Sequence, residues 1–224
     1  MATRWSAWSA TVVTKLLIAV TGLALFLYLV LHLVGNLLIF LGPTLFNGYS
    51  EKLVTNPLII PIEIGLALIL IIHVYKTVPM WLANQQARPV PYVKKTWAGG
   101  TSRKSLGSTT MIWTGLITLL FVVIHVRMFK FGTFYHVGAT DERDLYRLEI
   151  ETFANPFWVG FYVVGLILIG FHLWHGFSSS FESLGGNHPR YTPRVVVLGK
   201  VVALLIAGGF IFIPLWFYFV GGRS

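Results

Sequence analysis

The stretch PFWVGFYVVGLILIGFHLWHGFSSSF, residues 156–181, decides the fold. It is long and apolar enough to cross a bilayer, because a spanning helix needs roughly 20 apolar residues. A proline opens it, at the helix position where a missing N–H costs least. It also holds two histidines, His172 and His175, three residues apart. Imidazole in hydrocarbon is costly unless something binds it. One stretch therefore predicts a membrane helix and asks what its histidines hold.

Four more segments meet the same test of length and apolarity: residues 11–41, 57–83, 108–130 and 195–220. The expected fold class is all-α, a bundle of five transmembrane helices forming one domain over residues 1–224. Composition agrees, since the chain is 55% hydrophobic and only 11% charged, too apolar for an ordinary soluble domain. The first segment, at about 31 residues, exceeds a bilayer core and is expected to tilt or project. The chain reads without an internal repeat, a low-complexity tract or a cleavable signal peptide. Cysteine is absent, which excludes thiolate iron–sulfur ligation, disulfides and c-type haem attachment.

The formal charge of +9 is read as a topology signal rather than as a nucleic-acid footprint. Arg88, Lys94, Lys95, Arg103 and Lys104 crowd the loop after the second span, Arg190 and Arg194 the loop after the fourth, and Arg4 and Lys15 the amino terminus. The acids gather on the opposite side, as Glu51 and then Asp141, Glu142, Asp144, Glu149 and Glu151. The positive-inside rule places the amino terminus in the cytoplasm. The acidic stretch DERDLYRLEIETF, residues 141–153, is expected to form a short helix on the outer surface.

Five of the seven histidines fall in spans; His136 and His188 fall in loops. Because the chain reverses at each span, His32 and His125 both lie late in outward-going helices and His73 and His172 late in inward-going ones. At 1.5 Å per residue they sort into two layers, His32 with His125 outside and His73 with His172 or His175 inside. Two stacked haem groups, each taking two axial imidazoles from facing helices, need that arrangement. Thr14, Thr21, Leu25, Tyr28, His32 and Asn36 make a polar-mixed stripe on the first span, and Thr114, Thr118 and Phe121 flank His125 on the third. On the fourth, Gly165, His172, Ser179 and Gly176 share a face. These glycines suit either a macrocycle against the backbone or close helix packing. His172 and His175 are neighbours on that helix, and geometry leaves open which is the ligand and which a partner to it. Glu63 is the one acid within a span, a candidate for quinone or proton chemistry or an interfacial residue within reach of water. Lys76, Arg127 and Lys130 lie at helix ends, where they can pair with haem propionates or snorkel to the interface.

The stretches HLVGNLLIF and FNGYSEKL (32–40, 46–53), IEIGLALILIIHVY (62–75), VIHVRMFKF (123–131) and FHLWHGFSSSFESLG (171–185) resemble the single-chain, five-helix, di-haem cytochrome b subunit of succinate dehydrogenases and fumarate reductases. The resemblance covers nearly the whole chain. It implies an outer haem b on His32 and His125 and an inner haem b on His73 and His172. It selects His172 over His175, because glycines at 176 and 185 stand where the family has them after its ligand. It implies a quinone, with menaquinone expected, and soluble partners that carry FAD and iron–sulfur clusters: a flavoprotein interconverting succinate and fumarate, and an iron–sulfur protein. The location it implies is the bacterial cytoplasmic membrane. Some family members carry a proton-conducting glutamate where this chain has Gly170, so that route is not expected here.

Other readings make different demands. A di-haem cytochrome b of a nitrate reductase, hydrogenase or formate dehydrogenase needs the same histidines but other partners. A haem-free transporter using a histidine relay needs more acids or broken helices near the midplane. A purely structural anchor leaves four depth-matched histidines without a role.

Overall fold

The computed structural model describes residues 11–87 and 106–221. Its helices are α1 (Thr11–Leu37), continued by a 3-10 turn (Leu38–Leu41), α2 (Pro43–Val54), α3 (Ile59–Gln86), α4 (Leu106–Phe129), α5 (Leu145–Phe153), α6 (Pro156–Ser183) and α7 (Thr192–Phe219). No strand occurs among the described residues; a single β-bridge joins His136 to Arg143. Five helices, α1 with its 3-10 turn, α3, α4, α6 and α7, are long and apolar enough to cross a membrane. The all-α, multi-pass architecture read from the sequence is therefore found. The basic residues Arg4, Arg88, Lys94, Lys95, Arg103 and Lys104 lie outside the described residues.

The short helices gather at one end, called here the α5 end. Gly42 makes the turn between the 3-10 segment and α2, with φ of 97°, a left-handed value that a side chain disfavours. Pro43 then starts α2, between the first two spans. Asn47, buried on α2, fastens α2 to α5. Its amide donates to Asp144 Oδ1 at 2.8 Å, and its carbonyl oxygen accepts from the Tyr146 N–H at 2.9 Å. Asp144 also caps α5 by accepting from the Arg147 N–H at 2.9 Å, the role an aspartate plays at a helix start. The expected outer helix thus begins at Leu145, with its acidic leader acting as a cap. α6 starts in the same manner: Asn155 accepts from the Phe157 N–H at 2.9 Å, with Pro156 next.

The core runs along the seam of α6 with α7. Val159, Tyr162, Leu166, Ile169 and Leu173 meet Ala203, Ile206, Ile213 and Phe217. α4 packs on α6, α1 packs on α3, α6 and α7, and α5 packs on α2, α6 and α7. α3 differs from the other spans, since none of its residues is buried and its extensive packing is against α1. It meets α4 through Trp81 and Trp113, whose rings are 6.5 Å apart, and through an ion pair between Glu63 and Lys130. These two contacts hold opposite ends of α3. The outward surfaces are apolar, with Leu204 74%, Tyr75 69% and Phe157 68% exposed, as expected where lipid covers them.

Candidate functional site: two histidine pairs in the helix bundle

His32 on α1 and His125 on α4 face each other near the α5 end. Their ring centres are 5.8 Å apart, with planes at 86°. Each ring is stacked on an aromatic residue four positions earlier in its own helix. Tyr28 lies over His32 at 5.4 Å and 16°, and Phe121 over His125 at 6.0 Å and 9°. The Tyr162 hydroxyl is 3.1 Å from His125 Nδ1. The Asn36 amide donates to the His32 carbonyl at 2.8 Å. It stays 3.4 and 3.5 Å from the two ring nitrogens, too far for a strong bond to either.

The second level lies deeper. His73 on α3 meets Thr21 and Gly22 of α1. Thr21 Oγ1 is 3.0 Å from His73 Nδ1, and a Cβ on Gly22 would come within 3.2 Å of the His73 ring. His172 on α6 meets Thr114 and Gly115 of α4 in the same way. Thr114 Oγ1 is 3.4 Å from His172 Nδ1, and a Cβ on Gly115 would lie 3.1 Å from its ring. His73 and His172 are within electrostatic reach of one another.

These contacts reveal a repeat that the sequence reading did not find. TGLALFLYLVLH, residues 21–32, and TGLITLLFVVIH, residues 114–125, align without a gap on threonine, glycine, leucine, the stacking aromatic and histidine. In each copy the Thr–Gly pair holds the histidine of the following span, and the terminal histidine belongs to the pair nearer the α5 end. The two levels are separated by about 15 Å along α1 and α4, from the 1.5 Å rise per residue. α1 with α3 and α4 with α6 thus make the same Thr–Gly-to-histidine contact, although their wider packing differs, since α1 packs extensively on α6 and α3 does not do so on α4. The signal was present in the sequence as a twelve-residue match; apolar interchange at the intervening positions obscured it.

Thr21 also favours one tautomer of His73. Thr21 donates its hydroxyl proton to the Leu17 carbonyl at 2.6 Å, so its oxygen accepts from His73 Nδ1–H. Thr114 bonds the Thr110 and Met111 carbonyls, each at 3.1 Å, and at 3.4 Å its oxygen borders His172 Nδ1 without a strong bond. With Nδ1–H donated to Thr21, the His73 lone pair sits on Nε2, the arrangement in which a metal-binding imidazole is held by its other nitrogen.

The spacing of His32 and His125 is compatible with a bis-imidazole iron centre. Two imidazoles on opposite sides of one metal, with bonds of about 2.0 Å, hold their ring centres roughly 6 Å apart, close to the spacing of His32 and His125. No cluster of three or more metal-ligating side chains occurs among the described residues, and a porphyrin iron asks only two of the protein. The glycines that give room to a histidine are Gly22 and Gly115, not those singled out on α6. A Cβ on Gly165 would strike Phe121 at 2.6 Å, and one on Gly176 would reach Met111 at 3.3 Å, so those two serve helix packing.

The remaining candidates are placed as follows. His175 makes no hydrogen bond or ring contact through its imidazole among the described residues, and Glu182 acts on it electrostatically. Glu63 is paired with Lys130. Arg127 donates to the Phe131 carbonyl at 2.6 Å, and Lys76 lies over the Tyr75 ring at 5.6 Å. Glu149, which the sequence reading counted only as a surface acid, is buried, 6% exposed, and burial pushes its carboxyl up to about 8. On the same surface, Glu151 is held below the usual carboxylate range by hydrogen bonds from Tyr135 and Arg147. Comparison of the chain with protein-family models, with curated proteins and with solved structures finds no match.

Proposed function

We propose that the protein is the membrane-anchor and electron-transfer subunit of a succinate:quinone oxidoreductase, with two bis-histidine haems b. The observation that supports the haem reading is the paired Thr–Gly cradle: Thr21 and Gly22 border the His73 ring, and Thr114 and Gly115 border the His172 ring, at matching places of a repeated sequence. His73 and His172 would hold the inner haem, and His32 and His125 the outer one. Haem supplies a one-electron carrier at each level. The chain's own residues orient the imidazoles, exclude water with the Phe121, Phe129 and Tyr28 rings, and set the local polarity through Thr21, Thr114 and Tyr162. Gly115 and Thr114 favour His172 over His175 as the ligand on α6.

The partners rest on the sequence resemblance: a flavoprotein, an iron–sulfur protein and a quinone, with the amino terminus on the cytoplasmic face of a bacterial inner membrane. Electrons would pass between the iron–sulfur protein and the quinone by way of the inner and then the outer level.

The test is a pyridine haemochrome assay with reduced-minus-oxidised spectra on the purified complex. Two haems b per chain are expected, with one lost in His172→Ala and none in His175→Ala. Loss only in His175→Ala reverses the ligand choice. A folded wild-type protein without haem overturns the electron-transfer reading. The soluble subunits that co-purify decide between succinate/fumarate chemistry and another quinone-linked enzyme.

A further inference from the structure

Tyr162 is a phenol in a place that packing alone would fill with phenylalanine. It is 4% exposed, and four rings meet it edge to face: Phe121 at 5.0 Å and 69°, Phe129 at 6.0 Å and 89°, Phe153 at 5.1 Å and 82°, and Phe161 at 5.7 Å and 71°. Such a cage fixes a ring through aromatic contacts. It has no use for a hydroxyl, which costs stability in apolar surroundings unless it is hydrogen-bonded. The partner given to this hydroxyl is His125 Nδ1, 3.1 Å away on α4. Two of the caging rings also touch that imidazole, Phe121 lying parallel to it and Phe129 standing 5.3 Å from it. Phenol and imidazole are therefore held in register by the same side chains.

The other histidines are served differently. His73 Nδ1 meets Thr21, whose hydroxyl is also tied to the Leu17 carbonyl, and His172 Nδ1 lies 3.4 Å from Thr114. Both threonines belong to the repeated stretch that begins TGL. His32 has the Asn36 amide near its ring nitrogens at 3.4 and 3.5 Å, too far for a strong bond. Tyr162 stands outside the repeat. It comes from α6, ten residues before His172, which is about 15 Å along the helix. Its hydroxyl therefore serves the outer pair and not the inner one, and within the outer pair it serves His125 and not His32. A hydroxyl can face either tautomer of an imidazole. Once Nε2 is given to a metal, Nδ1 keeps its proton and the phenol oxygen is its acceptor.

We propose that Tyr162 is the positioning residue of the outer centre: its hydroxyl oxygen accepts from His125 Nδ1–H, fixes the rotation of that imidazole and makes His125 the more basic ligand of the outer pair. This rests on the haem reading above. The physical cause is polarisation. An acceptor at Nδ1–H raises the basicity of Nε2, and hydrogen bonding behind an axial ligand is one of the means by which a protein sets the potential of a haem. A more basic ligand favours ferric over ferrous iron. The effect is larger where water is excluded and the local dielectric is low. One side chain thus lowers the outer potential without touching the inner centre, whose histidines are bordered by threonines.

The test is a spectroelectrochemical titration of the purified complex at fixed pH, comparing the wild type with Tyr162→Phe, which removes the oxygen and keeps the ring in its cage. The outer haem is the component that survives in His73→Ala. Tyr162→Phe is expected to retain two haems, with the outer midpoint raised and the inner one unchanged. The ferrous form of the outer haem should be favoured about tenfold more, a rise of about 59 mV for a one-electron couple. The low-spin ferric electron paramagnetic resonance signal of the outer haem should shift as well, because the plane of His125 is no longer fixed. Tyr162→Phe combined with His73→Ala should show the same rise on the outer haem alone. A phenol that only packs moves neither signal. Two haems with the outer midpoint and resonance unchanged overturn the proposal, as does an equal shift of both midpoints. Absence of haem from folded wild-type protein removes the haem reading itself, whereas an unmoved outer midpoint removes only the role of Tyr162.

Discussion

Gly115 shows how much a single missing methyl can decide. A Cβ there would stand 3.1 Å from the His172 ring, closer than a comfortable van der Waals contact. A branched side chain would have to push the imidazole away from Thr114 and spoil its aim. Gly65 on α3 is the natural control, because nothing lies within 4 Å of its added Cβ. Gly115→Val is expected to lose one of two haems by haemochrome assay while the chain still inserts and folds. Gly65→Ala is expected to keep both and gain about 0.5–1 kcal/mol from its lower unfolded-state entropy. Equal haem content in the two variants would remove Gly115 from the site. At this scale the sequence was partly legible. Four histidines at matched depths point to paired ligands without any structure. The contacts that orient them were not readable, because a threonine in an apolar helix bonds its own backbone whether or not it also holds a histidine.

The short helices at the α5 end show where local reading stopped. PTLFNGYSEKLV carries no long apolar run, so nothing in it forecasts a docked helix; α2 is held by Gly42, Pro43 and the two hydrogen bonds of Asn47. α5 was expected, but its acids were read as a uniform surface, whereas Glu149 turns inward and Glu151 outward. Two positions along a helix is about 200° of rotation, enough to separate a buried acid from a solvated one. That burial has a pH signature. The folded Glu149 titrates at about 8 and an unfolded one at about 4.3, so over this window the native state binds more protons than the unfolded state. Stability therefore falls as pH rises from about 4.3 to 8, with a slope approaching 1.4 kcal/mol per unit at its steepest. Thermal unfolding in detergent should show the midpoint of the wild type dropping across this range. Glu149→Gln should drop less and exceed the wild type by a margin that widens toward pH 8. A constant margin across the range would mean that Glu149 is not buried in the working protein.

At the scale of the molecule the two halves are alike in their histidines and unlike in their packing. In the α4–α6 half, α6 makes the core seam with α7. In the α1–α3 half, α1 packs on α6 and α7 and joins that core, whereas α3 has no buried residue. A helix that buries so little against protein is expected to open at low cost. In the haem reading, a flat apolar group seated between His73 and His172 supplies the missing contact, and its binding stabilises the native arrangement by mass action. The Trp81–Trp113 contact and the Glu63–Lys130 pair then mark the two ends of the space it would fill. The ion pair, with its side chains 45% and 40% exposed, adds about 0.2–1 kcal/mol at most, too little to hold α3 alone. Hydrogen exchange on detergent-solubilised protein can separate these contributions. In His73→Ala, amides of α3 from Ile64 to Val78 are expected to exchange at least tenfold faster than in the wild type. Those of α6 and α7 along the Leu166–Ile206 seam should be unchanged, because no haem contact is needed to bury them. Equal protection of α3 in both proteins would show that α1 alone secures it, and that the exposed inner face of α3 is not waiting for a cofactor.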